Sequence, residues 1–234
     1  MTAAVDVIVP VYNEEAGIDE FYRRVSRAGY GACLVFVDNA STDRTVDRLQ
    51  KYPGVRIIRH ESNMGYGGSI RDGIAESGAD AIVIIDADLE YPPEAIPELL
   101  STLTHHSVVY ASRFLGGRPG GMPLIRRIGN RAISGIFNLL LAQKTTDLYT
   151  SMKAIRREAV RGIELQQNGF EHVLELSARL AVAGHRIHEI PVTYTPRAVG
   201  VSKMQHIPET LKYLWLVARY RLQLSRRPAQ VATT

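Results

Sequence analysis

The sequence lacks the features that mark secreted and membrane-spanning proteins. Cys33 is the only cysteine among 234 residues, so no disulfide can form within the chain, and its apolar surroundings predict an inert buried thiol. No uninterrupted apolar run approaches the ~20 residues that a transmembrane helix needs, and the N-terminus shows no basic and apolar leader pattern. We therefore expect a cytoplasmic protein that is soluble or peripheral on the cytoplasmic face of a membrane.

Acidic residues are scarce in two stretches of the second half. Six basic residues and no acidic residue lie between positions 113 and 146, and seven basic residues against one acidic residue lie between positions 195 and 227. This asymmetry predicts anionic partners for the second half of the protein. No recognised nucleic-acid module or aromatic stacking platform accompanies the basic residues, so we expect no nucleic acid among those partners.

Short apolar runs alternate with helical patterns through the first half. Strands are predicted at 5–11, 34–37, 55–58, 81–85 and 108–111, and helices at 16–27, 42–51, 67–76 and 93–103. The less regular second half predicts helices at 124–142, 169–183 and 208–224, and strands at 150–156 and 186–194. The alternation predicts an α/β fold with a mostly parallel central sheet and helices on both faces.

The most informative segment is 84–90, where an apolar strand ends in clustered carboxylates. Because strand side chains alternate between faces, Asp86, Asp88 and, if the chain stays extended, Glu90 should project the same way. Hard cations such as Mg²⁺ or Mn²⁺ take oxygen ligands and bridge one or two carboxylates to a substrate diphosphate. The alternative is a solvated turn that opens a helix, since residues 91–94 resemble a helix start.

Polar residues also follow two other predicted strands directly. Asn13-Glu14 comes after the first strand and Asp38-Asn39 after the second. Ligands of parallel α/β sheets bind beyond the carboxyl ends of the strands. The three segments should therefore lie together on one edge of the sheet.

Several motifs together resemble the family 2 glycosyltransferases, which are inverting enzymes with the GT-A fold. In chain order they are 9–15, 37–43, 63–65 with 67 and 71–73, 86–88 and 112–114. Later segments (146–147, 169–171 with 175, 189–191, and Arg197-x-x-Gly200-x-Ser202-Lys203) resemble the dolichyl/polyprenyl-phosphate mannose synthase branch. The resemblance spans about residues 5 to 203. It implies a GT-A catalytic domain at 1–204, followed at 205–234 by an amphipathic helix and a short basic tail.

The resemblance implies a site for a GDP- or UDP-sugar donor. Pro10, Tyr12 and Glu14 resemble the wall of the nucleoside pocket, and Asp38 resembles the carboxylate that recognises the base. Gly65 is either a donor contact or only part of a turn and tight helix start.

The same resemblance assigns the metal site, with Mg²⁺ or Mn²⁺ as the cofactor. Asp86 would face the ribose or the metal, and Asp88 would be the principal metal ligand. Glu90 stands where the mannose synthases often carry Gln and would be a second ligand.

The resemblance also implies that several basic residues bind phosphates. Arg113 and one arginine of the 124–142 helix would clamp them as planar bidentate donors. The helix offers Arg126, Arg127 and Arg131, of which we select Arg127. A loop carrying Arg197, Ser202 and Lys203 would close over the diphosphate or the acceptor phosphate. Asp147 is the candidate for orienting the sugar or the acceptor, so the predicted catalytic residues are Asp88, Arg113 and Asp147.

The implied reaction moves a mannose- or glucose-type hexose to a polyprenyl or dolichyl phosphate with inversion. A lipid phosphate is already anionic, so alignment and charge stabilisation suffice without a strong base. One alternative keeps the donor chemistry but uses a soluble acceptor, such as a polysaccharide or a secondary metabolite. A second alternative is a non-catalytic nucleotide-binding subunit that docks on a membrane partner.

Two features leave the partners open. The helices at 124–142 and 208–224 combine apolar and basic residues, which favours contact with a membrane surface. They could instead pack internally or form a dimer interface. The chain also departs from the family pattern: Asn39 replaces the usual second Asp, and residues 150–153 replace Ser-Gly-aromatic-basic. The departures bear on base selectivity and on acceptor or sugar preference.

Overall fold

The computed structural model describes residues 4–117, 119–196 and 220. Within these residues the strands are β1 (Val5–Val11), β2 (Leu34–Asp38), β3 (Arg56–Arg59), β4 (Ala81–Ile84), β5 (Val108–Ser112), β6 (Lys153–Arg156) and β7 (Ile187–Pro191). They form one sheet of order β3-β2-β1-β4-β6-β5-β7. Only β6 runs antiparallel to its neighbours, β4 and β5, and the other pairings are parallel. The predicted mostly parallel sheet is confirmed.

The helices connect the strands as the alternation predicts. They are α1 (Ile18–Arg27), α2 (Thr45–Leu49), α3 (Gly65–Glu76), α4 (Ile96–Leu103), α5 (Leu124–Leu141), α6 (Arg157–Val160) and α7 (His172–Val182). None of the helices in the described ranges is long and apolar enough to cross a membrane.

Two apolar cores cover the two faces of the sheet. Ile8 of β1 joins one core with residues of α3, α5 and α7, whereas Val7 and Val9 join the other with residues of α1, α2 and α4. Both faces of β1 are therefore buried, which explains why its sequence is apolar almost throughout. This arrangement places the carboxyl ends of β1, β2 and β4 at one edge of the sheet.

Several predicted boundaries differ from the structure. Strand β6 begins at Lys153 rather than at 150, and α2 begins at Thr45 rather than at 42. Residues 42–44 instead belong to a loop whose backbone binds the loop after β1. Most of the predicted helix at 208–224, the domain boundary at 204, and the predicted site residues Arg197, Ser202 and Lys203 lie outside the described residues, so these assignments stay predictions.

Candidate active site

Three parallel strands bring the predicted polar segments to the same edge. Strand β1 pairs with β2 so that Val11 lies beside Asp38, and β1 pairs on its other side with β4, where Ile8 lies beside Ile84. The segments that follow these strands therefore meet at the carboxyl edge. This expectation from the sequence is confirmed.

The loops after β1 and β2 are bound to each other. The side-chain oxygen of Asn13 accepts a 2.8 Å hydrogen bond from the backbone N–H of Thr42, and the Asn13 N–H donates to Ser41 Oγ at 3.0 Å. The N–H of Glu14 donates to Thr45 Oγ1 at 2.9 Å. Asn13 has a positive φ of 54°, a conformation that asparagine tolerates better than most residues. These contacts fix the edge before any ligand binds.

The predicted nucleoside wall lies on this fixed edge. Pro10, Tyr12 and Glu14 are each half-buried, whereas Val11 between them is buried in the core. Their alternation leaves one side of the chain accessible from the edge. The contact of these residues with a nucleoside stays a prediction.

Asp38 is wholly buried at the end of β2. Its Oδ1 accepts a 3.2 Å hydrogen bond from the Ser41 N–H. Its Oδ2 accepts no hydrogen bond from the described residues, and the nearest cation is Arg59, whose Nε lies 3.7 Å away. A buried carboxylate oxygen without a donor suits recognition of an N–H group on a ligand. Its role with the base stays a prediction.

Asn39 has a structural role that its amide explains. Its Oδ1 accepts from the Met64 N–H at 2.7 Å, and its Nδ2 donates to Asn63 Oδ1 at 2.9 Å. Asn63 Oδ1 also accepts from the Gly65 N–H at 2.9 Å. An aspartate at position 39 could not donate to Asn63. Asn39, which departs from the family pattern, thus joins the loop after β2 to the start of α3.

Gly65 is required by the backbone at the start of α3. Its φ is +78°, and a Cβ atom at this position would lie 2.2 Å from the carbonyl oxygen of Asn168. Two residues later, the Gly67 N–H donates to the same oxygen at 2.7 Å. Close backbone approach therefore accounts for Gly65, and its contact with the donor stays a prediction.

The acidic segment turns instead of staying extended. Strand β4 ends at Ile84, Asp88 Oδ1 accepts a 3.0 Å hydrogen bond from the Glu90 N–H, and Leu89 has a positive φ of 60°. The chain does not stay extended to Glu90, which was the condition for Glu90 to project with the two aspartates, because the Asp88 side chain closes a local turn. In the described part of the chain, no group of three or more acidic, histidine or cysteine side chains is placed to hold a metal.

The carboxylates still suit a cation that completes its ligands from the substrate. Asp86 and Asp88 are half-buried and offer the oxygen donors that Mg²⁺ and Mn²⁺ prefer. Mg²⁺ sites commonly use only one or two carboxylates plus substrate phosphates. The residues present fit such a site, and the assignment of Asp86, Asp88 and Glu90 as ligands stays a prediction.

Tyr66 orients Asp86. Its hydroxyl donates to Asp86 Oδ1 at 3.0 Å, and its ring stacks on Phe170 with a centroid distance of 5.4 Å. Burial, followed by the charge of Asp86, raises the pKa of Tyr66 well above its ordinary value. The hydroxyl therefore stays protonated and remains a donor. Sequence reasoning missed this residue.

Arg113 and Asp147, both predicted as catalytic, form a buried ion pair with each other. Arg113 Nε donates to Asp147 Oδ2 at 2.7 Å, and Nη2 donates to Oδ1 at 2.8 Å. Asp147 also accepts from the backbone N–H of Arg113 at 3.1 Å and from Asn130 Nδ2 at 2.9 Å. The side chains are 10% and 0% exposed. The arginine is thus held in one orientation, with the rings of Tyr91 and Tyr194 at 5.3 and 5.6 Å.

Glu189 holds the backbone segment that carries Asp147. It accepts backbone N–H groups of Thr146 at 2.8 Å and Asp147 at 2.9 Å. Burial raises the pKa of Glu189, although these hydrogen bonds oppose the shift. The 146–147 and 189–191 segments, which both belong to the family resemblance, are therefore in contact.

Lys153 is a buried cation that sequence reasoning did not select. It lies on β6 between Ile84 and Tyr110, is 2% exposed, and donates to the carbonyl of Thr150. Burial lowers its pKa to about 8, whereas the neighbouring charges of Asp86 and Asp147 act to raise it. The cation therefore links the acidic segment electrostatically to the Arg113–Asp147 pair. The sequence signal that could have identified Lys153 is a lysine inside an apolar strand pattern.

A cleft of about 380 Å³ opens beside Arg113. Its lining residues are Phe114, Gly117, Pro119, Leu124, Arg127 and Arg131. The guanidinium groups of Arg113 and Arg131 lie 6.0 and 5.7 Å from the centroid of the Phe114 ring. The cleft thus combines apolar surface with two cations, including the selected Arg127.

Comparisons with known proteins agree with this arrangement. The family model described as glycosyl transferase family 2 matches residues 6–163. Dolichol-phosphate mannosyltransferase from Pyrococcus furiosus is 30% identical over 95% of this chain and 66% of its own length. Undecaprenyl-phosphate mannosyltransferase from Micrococcus luteus is 31% identical over 84% of this chain and 86% of that protein. Dolichyl-phosphate hexose transferase from Haloferax volcanii is 32% identical over 85% of each chain.

A solved structure supports the fold. Glucosyl-3-phosphoglycerate synthase from Mycobacterium tuberculosis, in complex with Mg²⁺ and uridine diphosphate, has a TM-score of 0.69 and 18% identity. The match covers 98% of this chain and 82% of that one. With the family match over more than half of the sequence, the chain belongs to glycosyl transferase family 2 and has the GT-A fold.

Proposed function

We propose that this glycosyltransferase moves a hexose from a nucleotide-diphosphate sugar to a polyprenyl phosphate, with inversion at the anomeric carbon. The observation that carries the proposal is the cleft beside Arg113, where Arg127 and Arg131 lie next to Phe114 and Leu124. An acceptor that joins an anionic phosphate to an apolar chain needs this combination of surfaces. The polyprenyl-phosphate transferases among its relatives support the same acceptor class.

The donor would bind at the carboxyl edge of β1, β2 and β4. The buried Oδ2 of Asp38 would accept an N–H of the base, and the half-buried Pro10 and Tyr12 would flank the nucleoside. Asp86 and Asp88 would hold a divalent cation, which neutralises charge on the departing nucleoside diphosphate when it is bound. Tyr66 sets the orientation of Asp86 by its hydrogen bond.

Arg113 would contact the phosphates while Asp147 holds it. Two of the five guanidinium N–H donors bind Asp147, which leaves three for phosphate oxygens. Both Asp147 oxygens already accept hydrogen bonds, so Asp147 acts by positioning Arg113 and not as a proton acceptor. The acceptor phosphate is anionic at neutral pH, so no base is required.

The exposed face of α5 supports contact with an anionic membrane surface. Ile125 is 77% exposed and Leu139 is 84% exposed, while Arg126 lies beside Ile125 in the first turn. Apolar side chains with flanking arginines favour the boundary between lipid tails and headgroups. Co-sedimentation with anionic vesicles should occur, and Ile125→Gln should weaken it. Equal sedimentation of the variant and the parent would exclude this face as the contact.

The function is tested by nucleoside diphosphate release from GDP-mannose, UDP-glucose and UDP-N-acetylglucosamine. Each donor is incubated with Mn²⁺ or Mg²⁺, with or without a chelator, and with or without a polyprenyl phosphate. Release that requires both the lipid phosphate and the divalent ion supports the proposal and identifies the donor. Slow release that does not depend on the lipid phosphate would instead favour a soluble acceptor, such as a polysaccharide or a secondary metabolite.

Matched variants separate an enzyme from a silent nucleotide-binding subunit. Asp88→Asn should abolish nearly all turnover, because it removes a carboxylate proposed to bind the cation. Asp47→Asn changes an exposed carboxylate of α2 and should keep full turnover. Absence of release from every donor, with retained nucleotide binding, would refute the catalytic proposal.

A further inference from the structure

The first half of α5 is joined to the body of the protein mainly through one polar side chain. The buried residues of α5 are Asn130, Ser134, Phe137 and Leu141, so Asn130 is the first of them along the helix. Before it, Leu124 and Ile128 are 61% and 56% exposed. The N-terminal turns of α5 therefore lack the apolar anchoring that fixes its C-terminal half.

Asn130 contacts the catalytic pair directly. Its Nδ2 donates to Asp147 Oδ1 at 2.9 Å, and the same oxygen accepts from Arg113 Nη2 at 2.8 Å. The amide cannot easily reverse, because its Oδ1 accepts from Ser134 Oγ at 3.2 Å. Ser134 Oγ in turn accepts from the backbone N–H of Leu148 at 3.2 Å. Helix α5 is thus attached both to the side chain of Asp147 and to the backbone of the next residue, Leu148.

The neighbouring face of α5 supplies the cationic wall of the cleft. Arg127 lies three residues before Asn130, and Arg131 lies one residue after it. Both arginines line the cleft. Residues three and four apart lie on one face of a helix. A movement of α5 that brings Arg127 and Arg131 onto an anion would therefore also move the amide that holds Asp147.

We infer that Asn130 is a positioning residue that couples occupation of the cleft to the orientation of the Arg113–Asp147 pair. A phosphate held by Arg127 and Arg131 fixes the N-terminal half of α5, and the Asn130 amide then fixes Asp147 and Arg113 toward the donor. The two substrates would consequently bind cooperatively. The inference rests on the proposed function, because it takes the cleft occupant to be the acceptor phosphate.

The test measures how strongly one ligand changes the affinity for the other. The dissociation constant of the nucleoside diphosphate, with Mn²⁺, is measured with and without a short-chain polyprenyl phosphate in detergent micelles. Such a coupling is reciprocal by thermodynamic linkage. For the parent protein we expect the lipid phosphate to tighten nucleotide binding by about 5-fold or more. In Asn130→Ala this factor should fall to about 1.

Asn138→Ala is the matched control, because Asn138 is the same residue type on the same helix. Its side chain binds the backbone of Thr145 and not Asp147. The control should lower the melting temperature and keep the coupling factor. Ser134→Ala frees the orientation of the Asn130 amide and also removes the acceptor of the Leu148 N–H; it should reduce the factor partially even if Asn130→Ala fails to fold.

The outcomes separate the inference from the proposed function. Coupling that survives in both the Asn130 and Ser134 variants, or that falls equally in Asn138→Ala, overturns the positioning role. If the parent protein binds nucleotide but shows no response to polyprenyl phosphate in either binding or turnover, the acceptor assignment fails first, and the coupling fails with it.

Discussion

Asp147→Asn should destabilise the protein far more than its small change in size suggests. The carboxylate accepts four N–H groups, three from Arg113 and one from Asn130. An asparagine offers one acceptor oxygen, and its NH₂ group would face other donors. The Arg113 side chain is only 10% exposed, so its charge would stay buried without a partner. Removing one member of a buried pair costs about 3–5 kcal/mol, which lowers the melting temperature of a protein of this size by about 10 °C.

The assay is urea denaturation followed by far-ultraviolet circular dichroism. Glu94→Gln is the matched control: Arg24 binds Glu94 with the same two-bond geometry, at 2.8 and 2.6 Å, but the Glu94 side chain is 52% exposed. Exposed pairs contribute about 0–1 kcal/mol. The double variant Arg113→Met/Asp147→Asn removes the buried charge altogether and should recover at least about 2 kcal/mol of the loss.

Two results would refute this account of the buried pair. Equal losses of unfolding free energy in Asp147→Asn and Glu94→Gln would show that burial does not set the cost. A double variant no more stable than Asp147→Asn alone would show that the unpartnered arginine is not its source.

Two further predictions concern packing and pH. Gly67→Ala should lower the free energy of unfolding, measured by urea denaturation, by about 1–3 kcal/mol, because its Cβ would lie 2.2 Å from the Gln167 carbonyl oxygen. The control is Gly78→Ala, whose Cβ would have no atom within 4 Å; it should change the free energy of unfolding by less than about 0.5 kcal/mol. Burial lowers the pKa of His172 to about 3, whereas the unfolded imidazole titrates near pH ~6.5. As the pH falls, the unfolded state therefore takes up the proton first, and the free energy of unfolding decreases. The contribution of the neutral imidazole is fully present above pH ~6.5, and about 3 kcal/mol of it is lost by pH ~4. The same urea titration of His172→Gln should show a flatter decline between these pH values, and parallel curves for variant and parent would contradict the burial argument.

The location of the candidate site could be predicted from local sequence alone. The alternation of strands and helices predicts a parallel sheet, and parallel strands place their carboxyl ends at one edge. That rule was sufficient to bring Asn13, Asp38 and Asp86 together without knowledge of any long-range contact. The rule requires only that each strand end be predicted to within a residue or two. The predicted ends of β1, β2 and β4 meet this requirement.

The same local rules failed where side chains compete with the strand pattern. Alternation places Glu90 on the face of Asp86 and Asp88 only if the chain stays extended, but Asp88 binds the backbone two residues ahead and closes a turn. An aspartate just past a strand end is a known turn former. The structure contains a half-buried turn at this segment, and a turn is compatible with metal binding by the first two carboxylates.

Partnerships between distant residues could not be predicted from periodicity. Arg113 and Asp147 were selected separately, and their 34-residue separation gives no signal that each is the other's partner. Lys153 and Asn130 were missed for the same reason, since a polar residue in an apolar pattern is ambiguous until its neighbours are known. Only the sheet order, which inserts β6 between β4 and β5, brings Lys153 near Asp86 and Asp147.

These contacts divide the site into two halves with opposite charge. In the proposed function Asp86, Asp88 and Glu90 would face the donor, whereas Arg127 and Arg131, which line the cleft, would face the acceptor. A diphosphate can approach carboxylates only with a cation between them, but a single phosphate can bind arginines directly. The Arg113–Asp147 pair is neutral as a whole and joins the halves. In the proposed function it would add donors for either phosphate without biasing the electrostatic preference of either side, so the surrounding residues would have to control its orientation rather than its charge.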